Sequence, residues 1–339
     1  MLTFDQARAV IFDKLRGISP AGPVERVPLG AAQGRVLAAA VGADRDYPPF
    51  DRSARDGFAV RAADVAKTPA RLRLIGETRA GEPSRFTVNS GEAVEIMTGA
   101  PGPDGADSVV MVEYSRRDGE YVVLERGVPQ GKNLIPRGSE IAAGSVVLNP
   151  GATLDYPEIA LLASVGCAEV EVFRRPRVAI LSTGDEVVDI TANPEPFQIR
   201  NSNAFSLAAQ VHRRGGEPRI LPIAPDDQAR TRELIEDGLG GDILLLSGGV
   251  SAGKYDFVEQ ALTDLGAEFH FTAVAIQPGK PLVFGECMGK PVFGLPGNPL
   301  STMVTFEVFA RIAVDLLAGR GESPLPFVYA RLGSEFAGG

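Results

Sequence analysis

The stretch Ile243-Leu244-Leu245-Leu246-Ser247-Gly248-Gly249-Val250-Ser251-Ala252-Gly253-Lys254-Tyr255-Asp256 decides the fold. Its leading apolar run shows no alternation and reads as a strand buried on both faces, the pattern of a parallel sheet. The loop behind it holds Gly248, Gly249 and Gly253 with Ser247 and Ser251, residues that let backbone approach a ligand and aim N–H groups at an anion. Lys254 and Asp256 follow, a combination suited to a phosphorylated ligand and a divalent metal. A plainer reading stands beside it. Asp256 three residues before Glu259 fits a helix cap, and the glycines could serve close packing alone.

Around this stretch, strands and helices alternate. Val178–Leu181 reads as a buried strand, Asn203–Arg214 as an amphipathic helix, Ile220–Pro222 as a short strand and Thr231–Leu239 as a helix. After Ile243–Leu246 come a helix over Phe257–Leu265, strands over Phe269–Ile276, Pro281–Phe284 and Val292–Leu295, and a long apolar helix over Leu300–Leu317. This spacing predicts a doubly wound α/β sheet, in which ligands sit beyond the carboxyl ends of the strands.

Three distinctive loops fall at that end. Ser182-Thr183-Gly184-Asp185-Glu186 follows the first strand and reads equally as a metal or substrate-hydroxyl site and as an acidic turn. The glycine-rich loop is the second. Leu295-Pro296-Gly297-Asn298-Pro299 is the third, with Asn298 as N-cap and Pro299 at the first helical position. It suits helix initiation and an anion site alike. Near it, Gln277-Pro278-Gly279-Lys280-Pro281 presents one lysine from a rigid turn.

The N-terminal half has another texture. Thr3-Phe4-Asp5-Gln6 reads as a capping box opening a helix that Gly17 ends, and Asp155, Pro157 and Glu158 signal a second helix stopping near Gly166. Between them, short β-like runs (Arg71–Ile75, Ser108–Val112, Tyr121–Leu124) are separated by Gly, Pro and Asp, with Asp118-Gly119 as a hairpin signal. This predicts a small β-rich insert. Within it, Pro48 to Arg61 is too structured for a linker, although Asp56-Gly57 could be a simple hairpin turn.

With 339 residues, 44% apolar and 23% charged, the chain has room for several domains of ordinary soluble composition. Its formal net charge of −9, without a long Lys/Arg cluster, disfavours nucleic acid. Cys167, Cys287, His212 and His270 are the only cysteines and histidines, which leaves little for a zinc site or a disulfide scaffold. Any metal would take carboxylate and hydroxyl oxygens, which points to magnesium. The N-terminus reads as no signal peptide and no apolar run reaches the roughly 20 residues of a membrane span, so the expectation is a cytoplasmic protein.

Taken together, these segments resemble the MoeA / gephyrin E-domain family of molybdopterin molybdenumtransferases. The resemblance rests on PPFDRSARDGFAVR (48–61), AGE (80–82), EIMTGAPGPDGADSVVMVE (95–113), RGSEIAAGSVV (137–147), VAILSTGDEVV (178–188), IRNSN (199–203), SGGVSAGKYDF (247–257), IQPGKP (276–281) and GLPGNP (294–299). It implies a multidomain α/β chain. The parts are a discontinuous helical and extended linker domain (1–42 plus 141–175), the inserted β-rich domain (43–140) and a doubly wound, MoaB/MogA-like molybdopterin-binding domain (176–320). Residues 321–339 would open a C-terminal β domain largely absent from the sequence.

The resemblance further implies that molybdate is inserted into adenylylated molybdopterin, that AMP leaves with the help of Mg2+, and that the protein is a homodimer with its cleft between subunits. Carried over by motif, Asp56, Thr98, Glu186 and Asp256 would be catalytic, with Glu186 and Asp256 also holding magnesium. Ser182, Thr183, Gly184, Asn201, Gly248, Gly249, Ser251, Lys280, Pro296, Gly297, Asn298 and Pro299 would bind substrate. Glu140 lies near an acidic turn of the family. The family's usual residues differ at Arg55 (Met), Phe58 (Tyr), Asn201 (Asp) and Gln277 (Lys). The adenylyltransferase of the same pathway would be a further partner. Rival readings are a non-catalytic dimeric scaffold of the gephyrin type and the adenylyltransferase itself. That enzyme and CinA-like proteins share only the α/β part and lack segment 48–61.

Overall fold

Local signals act first. Thr3 Oγ1 accepts the Gln6 N–H at 3.3 Å and the Gln6 side chain accepts the Thr3 N–H at 3.0 Å, so the expected capping box opens helix α1 (Phe4–Leu15). The computed structural model describes residues 1–16, 23–248, 257–321, 325, 328–331 and 333. The helix end expected at Gly17, the loop residues Gly249, Ser251, Lys254 and Asp256, and most of the expected C-terminal segment lie outside the described residues. The chain forms two compact units. One comprises Met1–Ala39, Asn149–Ala160 and Ala168–Gly339; the other comprises Ala40–Leu148 and Leu161–Cys167. The boundary falls within helix α2 (Tyr156–Ser164).

The second unit is built on a six-stranded sheet of β1 (Gly57–Val60), β2 (Ala70–Thr78), β3 (Glu92–Ile96), β4 (Ser108–Met111), β5 (Ser115–Asp118) and β6 (Tyr121–Leu124), in the order β4-β1-β3-β2-β6-β5. Alternation along the strands divides its apolar side chains. Phe58, Val60, Leu72, Val110, Val122 and Leu124 form one core, and Ala59, Val94, Ile96 and Val109 join a second. The Asp118-Gly119 hairpin forms as read, with Asp118 opposite Tyr121 and Gly119 at φ 62°. Asp56-Gly57 is not a hairpin turn. Gly57 opens β1, and a Cβ there would lie 2.0 Å from the Val110 carbonyl oxygen, so close pairing with β4 demands glycine.

In the first unit, β7 (Arg177–Ser182), β8 (Glu217–Ile220), β9 (Ile243–Ser247), β10 (Glu268–Ala273), β11 (Pro281–Cys287) and β12 (Lys290–Leu295) run in the order β8-β7-β9-β12-β11-β10. Helices α3 (Ser202–Arg213), α4 (Gln228–Gly238), α5 (Phe257–Asp264), α6 (Pro299–Thr305) and α7 (Arg311–Leu317) complete it. Val178, Ile180, Ile243 and Leu245 face a core shared with α1, α3 and α7, while Ala179, Leu181, Leu244 and Leu246 face one shared with α4 and α5. The sheet is therefore covered on both faces, as the uniform apolar run predicts. Leu244, Leu245 and Leu246 are at most 1% exposed, and each contributes about 1.5–3 kcal/mol by burial.

Three expectations need correction. The sheet is mixed: β8, β7, β9 and β12 are parallel, and β11 runs antiparallel to both its neighbours, β12 and β10. A two-residue turn, Met288 at φ 51° and Gly289 at φ 72°, folds β11 directly onto β12. The short strand expected at Ile220–Pro222 lies at Glu217–Ile220, because an edge strand tolerates Glu, Pro and Arg. The long helix expected over Leu300–Leu317 is interrupted by a π-helical turn at Phe306–Ala310, which shifts the register so that Phe306, Phe309 and Ala310 all face the core.

Candidate active site

The parallel strands β7, β9 and β12 end side by side, with Ser182 opposite Ser247 and Ser247 opposite Leu295. Their following loops therefore gather at one place, where they border a cleft. Ser182, Thr183 and Glu186 come from the first loop, Asn201 from the start of α3, Gly248 from the second loop, and Gly297 and Pro299 from the third. Six of the residues expected to bind substrate, together with the expected catalytic Glu186, are thus brought together.

Each is placed by local chemistry. Asn201 caps α3, its Oδ1 accepting the Ala204 N–H at 3.3 Å and the Ser182 hydroxyl at 2.9 Å. Both contacts use an acceptor oxygen, which an asparagine supplies as an aspartate would. Gly184 sits at φ 123°, and a Cβ there would lie 2.4 Å from Glu186 Oε2, so the glycine leaves room for that carboxylate. Gly248, at φ 88°, brings backbone against Thr183, where a Cβ would lie 2.9 Å from the Thr183 carbonyl oxygen. Thr183 Oγ1 is buried without a hydrogen-bond partner among the described residues. Asn298 caps α6 by accepting the Leu300 and Ser301 N–H groups at 3.1 and 3.4 Å, and Pro299 holds the first turn. Pro296 is buried and its carbonyl accepts the Thr302 hydroxyl.

Lys280 is exposed in the turn before β11 and is not among the residues that border the cleft. Gly249, Ser251 and Asp256 fall outside the described residues. Asp56 and Thr98 lie in the second unit, where they meet each other. Asp56 Oδ1 accepts the Thr98 N–H at 2.6 Å and the Thr98 hydroxyl at 2.9 Å. These two bonds, the backbone one foremost, hold the Asp56 carboxyl below its ordinary value. Glu140, in the same unit, pairs with Arg52 at 2.8 Å.

Sequence reading missed two contributors, Asn203 and Asp226. Asn203 Nδ2 donates to Ser247 Oγ at 2.9 Å and to the Gly297 carbonyl at 2.8 Å, tying three loops together. It stands inside the IRNSN segment, but nothing in that segment reveals its long-range partners. Asp226 is the second. Its backbone N–H donates to Asp185 Oδ1 at 3.0 Å. Burial first, and then the charges of Asp185 and Glu186, hold the Asp226 carboxyl above its ordinary 3.8.

That shift has a definite sign. Below pH 3.8 Asp226 is protonated both folded and unfolded. As pH rises through the window up to the folded value, the folded state keeps a proton that the unfolded state has lost, so stability falls, and the cost persists at neutral pH. Asp226→Asn is accordingly expected to raise the melting temperature at pH 7, with the gain shrinking as pH falls toward about 4. Thermal melts across that range check it; equal melting temperatures at pH 7 would contradict it.

Among the described residues, no group of three or more His, Cys, Asp or Glu stands close enough to hold a metal ion. By donor type, the oxygen-rich set fits a hard divalent cation, and the crowding of Asp185, Glu186 and Asp226 is the kind of excess negative charge that such a cation relieves.

A doubly wound domain with its polar loops converging at the strand ends, in a chain that also carries a β-rich unit, defines a ligand-binding α/β class. Residues 2–166 match the family model for the MoeA N-terminal region (domain I and II), and residues 179–315 match the "Probable molybdopterin binding domain". The chain is 39% identical over 332 residues to the molybdopterin molybdenumtransferase of Nostoc sp., covering 95% of this chain and 76% of that one. It is 37% identical over 299 residues to the molybdopterin molybdenumtransferase of Bacillus subtilis, covering 86% and 70%. A crystal structure of the MoeA molybdopterin biosynthesis protein from Pyrococcus horikoshii superposes with a TM-score of 0.81 at 31% identity, covering 95% of this chain and 80% of that one. The chain belongs to the MoeA family.

Proposed function

We propose that this protein is a molybdopterin molybdenumtransferase of molybdenum cofactor biosynthesis, which inserts molybdate into adenylylated molybdopterin with release of AMP. The observation that carries this reading is the convergence of the loops after β7, β9 and β12 on one cleft, tied by Asn203, in a chain of this family. Ser182, Thr183, Asn201 and the backbone at Gly248 and Gly297 would offer polar groups to a phosphorylated pterin; the Thr183 hydroxyl has no hydrogen-bond partner among the described residues. Lys280 and Ser251 would hold molybdate oxygens, a tetrahedral oxyanion needing a cation and donors.

Glu186 and Asp256 would hold Mg2+. When bound, magnesium polarises the phosphoanhydride and offsets charge on the departing AMP. Asp56, kept ionised by Thr98, would be a further catalytic residue. The assembly we favour is a homodimer acting in the cytoplasm; the adenylyltransferase of the pathway is a further partner. No helix among the described residues is long and apolar enough to cross a membrane. The four-part domain division given from sequence belongs to the same proposal. The test is whether the purified chain releases AMP from adenylylated molybdopterin when molybdate is added.

A further inference from the structure

At the other end of β7 from the cleft, guanidiniums accumulate. Arg175 precedes β7 by two residues, whereas the cleft begins at its last residue, Ser182. At about 3.3 Å per residue the two places are roughly 20 Å apart. Arg35 is 8% exposed, pairs with Glu25 and donates to the Phe173 carbonyl at 2.8 Å. Arg320 is 14% exposed and donates to the Gly34 carbonyl at 3.0 Å and to the Arg214 carbonyl. These bonds fix Arg320 to the residue before Arg35, and Arg35 to a residue two before Arg175, so the three side chains share one neighbourhood.

Most of the negative charge there is already committed, Glu217 excepted. Asp315 takes a two-oxygen contact from Arg214 at 2.7 and 2.8 Å. It also takes Arg311 at 3.4 Å and Arg320 at 3.4 Å, and Glu25 belongs to Arg35. The Arg175 guanidinium, partly buried, has no hydrogen bond or ion pair among the described residues. Burial first, and then the charges of Arg35 and Arg320, push it below its ordinary value, while Glu25 and Glu217 act the other way. A guanidinium does not shed its proton near neutral pH, so a partly buried one with its donors uncommitted among the described residues is suited to an anion.

We propose that Arg35, Arg175 and Arg320 form a second oxyanion site, separate from the cleft, for a tetrahedral dianion of the phosphate type. Arg175 supplies the free planar fork, which matches two oxygens of such an anion. Arg35 and Arg320, held by backbone carbonyls, supply fixed positive charge nearby. The anion is either free in solution or carried on a nucleoside. The site does not depend on the reaction proposed for the cleft.

The experiment is titration calorimetry on the full chain at constant ionic strength, with inorganic phosphate in one arm and AMP in the other. Saturable binding in at least one arm is expected, weakened about 10-fold or more in Arg175→Gln, the loss expected for a charge-assisted hydrogen bond. Phosphate binding marks a free anion; binding of AMP alone marks a nucleotide-borne one. Arg175→Gln breaks no bond in the fold and should melt no lower than the unaltered chain. Should it fail to fold, Arg175→Lys, which keeps charge but loses the fork, is expected to weaken binding as well. No binding in either arm, or binding undiminished in the Arg175 variants, overturns the proposal.

Discussion

Replacing Glu186 with glutamine is expected to lower molybdate-dependent AMP release by about 10²–10³-fold, the range found when one preorganised charge-stabilising group is removed from an active site. Glutamine keeps the shape that Gly184 accommodates, where only a glycine leaves space for the side chain. It deletes the negative charge alone. The fold should not suffer, since Glu186 is one of the two charges that disfavour ionised Asp226. The variant is therefore expected to melt at or above the temperature of the unaltered chain. The same substitution should weaken any stabilisation by added Mg2+ in a thermal melt. Activity within about 3-fold of the unaltered chain, a change of less than 1 kcal/mol in the barrier, would remove Glu186 from the chemistry.

The second large effect is expected at Asp56. Asp56→Asn should lower AMP release about 10²-fold, again through loss of charge. Thr98→Val, which deletes the hydroxyl and leaves the 2.6 Å backbone bond in place, should cost about 10-fold at most. The order of the two variants carries the argument, because the backbone N–H is the leading cause of the depressed Asp56 ionisation. A carboxyl held below 3.8 contributes stability that is complete above the unfolded value and is lost as pH falls through the folded one. Asp56 should therefore add no ionisation to the activity profile at any pH above about 4. Kinetics of both variants over pH 5–9 (an interval of about four units) make the check. If Thr98→Val proves the more damaging, the Asp56 charge is not what the pair contributes.

Most of the architecture could be read because its signals are local. The Thr3–Gln6 capping box, the Asp118-Gly119 hairpin and the uniform apolar run at Ile243–Leu246 each act within a few residues, and each appears in the fold. What could not be read depended on distant partners or on small changes of phase. The direction of β11 is set by the Met288-Gly289 turn, whose first residue is not one of the usual turn formers. The π turn at Phe306–Ala310 leaves the apolar pattern of Leu300–Leu317 continuous, so the sequence alone carries no mark of it.

The site divides in the same way. Ser182, Thr183, Glu186, Gly248 and Gly297 were visible as polar or glycine-rich loops after buried strands, and the cleft gathers them. The bonds that fasten those loops join Asn203 to Ser247 and to Gly297, residues far away in the chain. Asp226 was equally hidden, because it lies ahead of the helix expected at Thr231–Leu239, where its neighbour Asp227 caps α4. Only the fold reveals that Asp226 stands among Asp185 and Glu186.

The most direct measurement is AMP production by the purified chain from adenylylated molybdopterin, with molybdate and magnesium each left out in turn. Release that needs both is the predicted result, since one cleft has to grip the phosphoanhydride and the oxyanion together. Release that is indifferent to molybdate, or none at all with both present, would contradict the assignment of this chain as a working molybdenumtransferase.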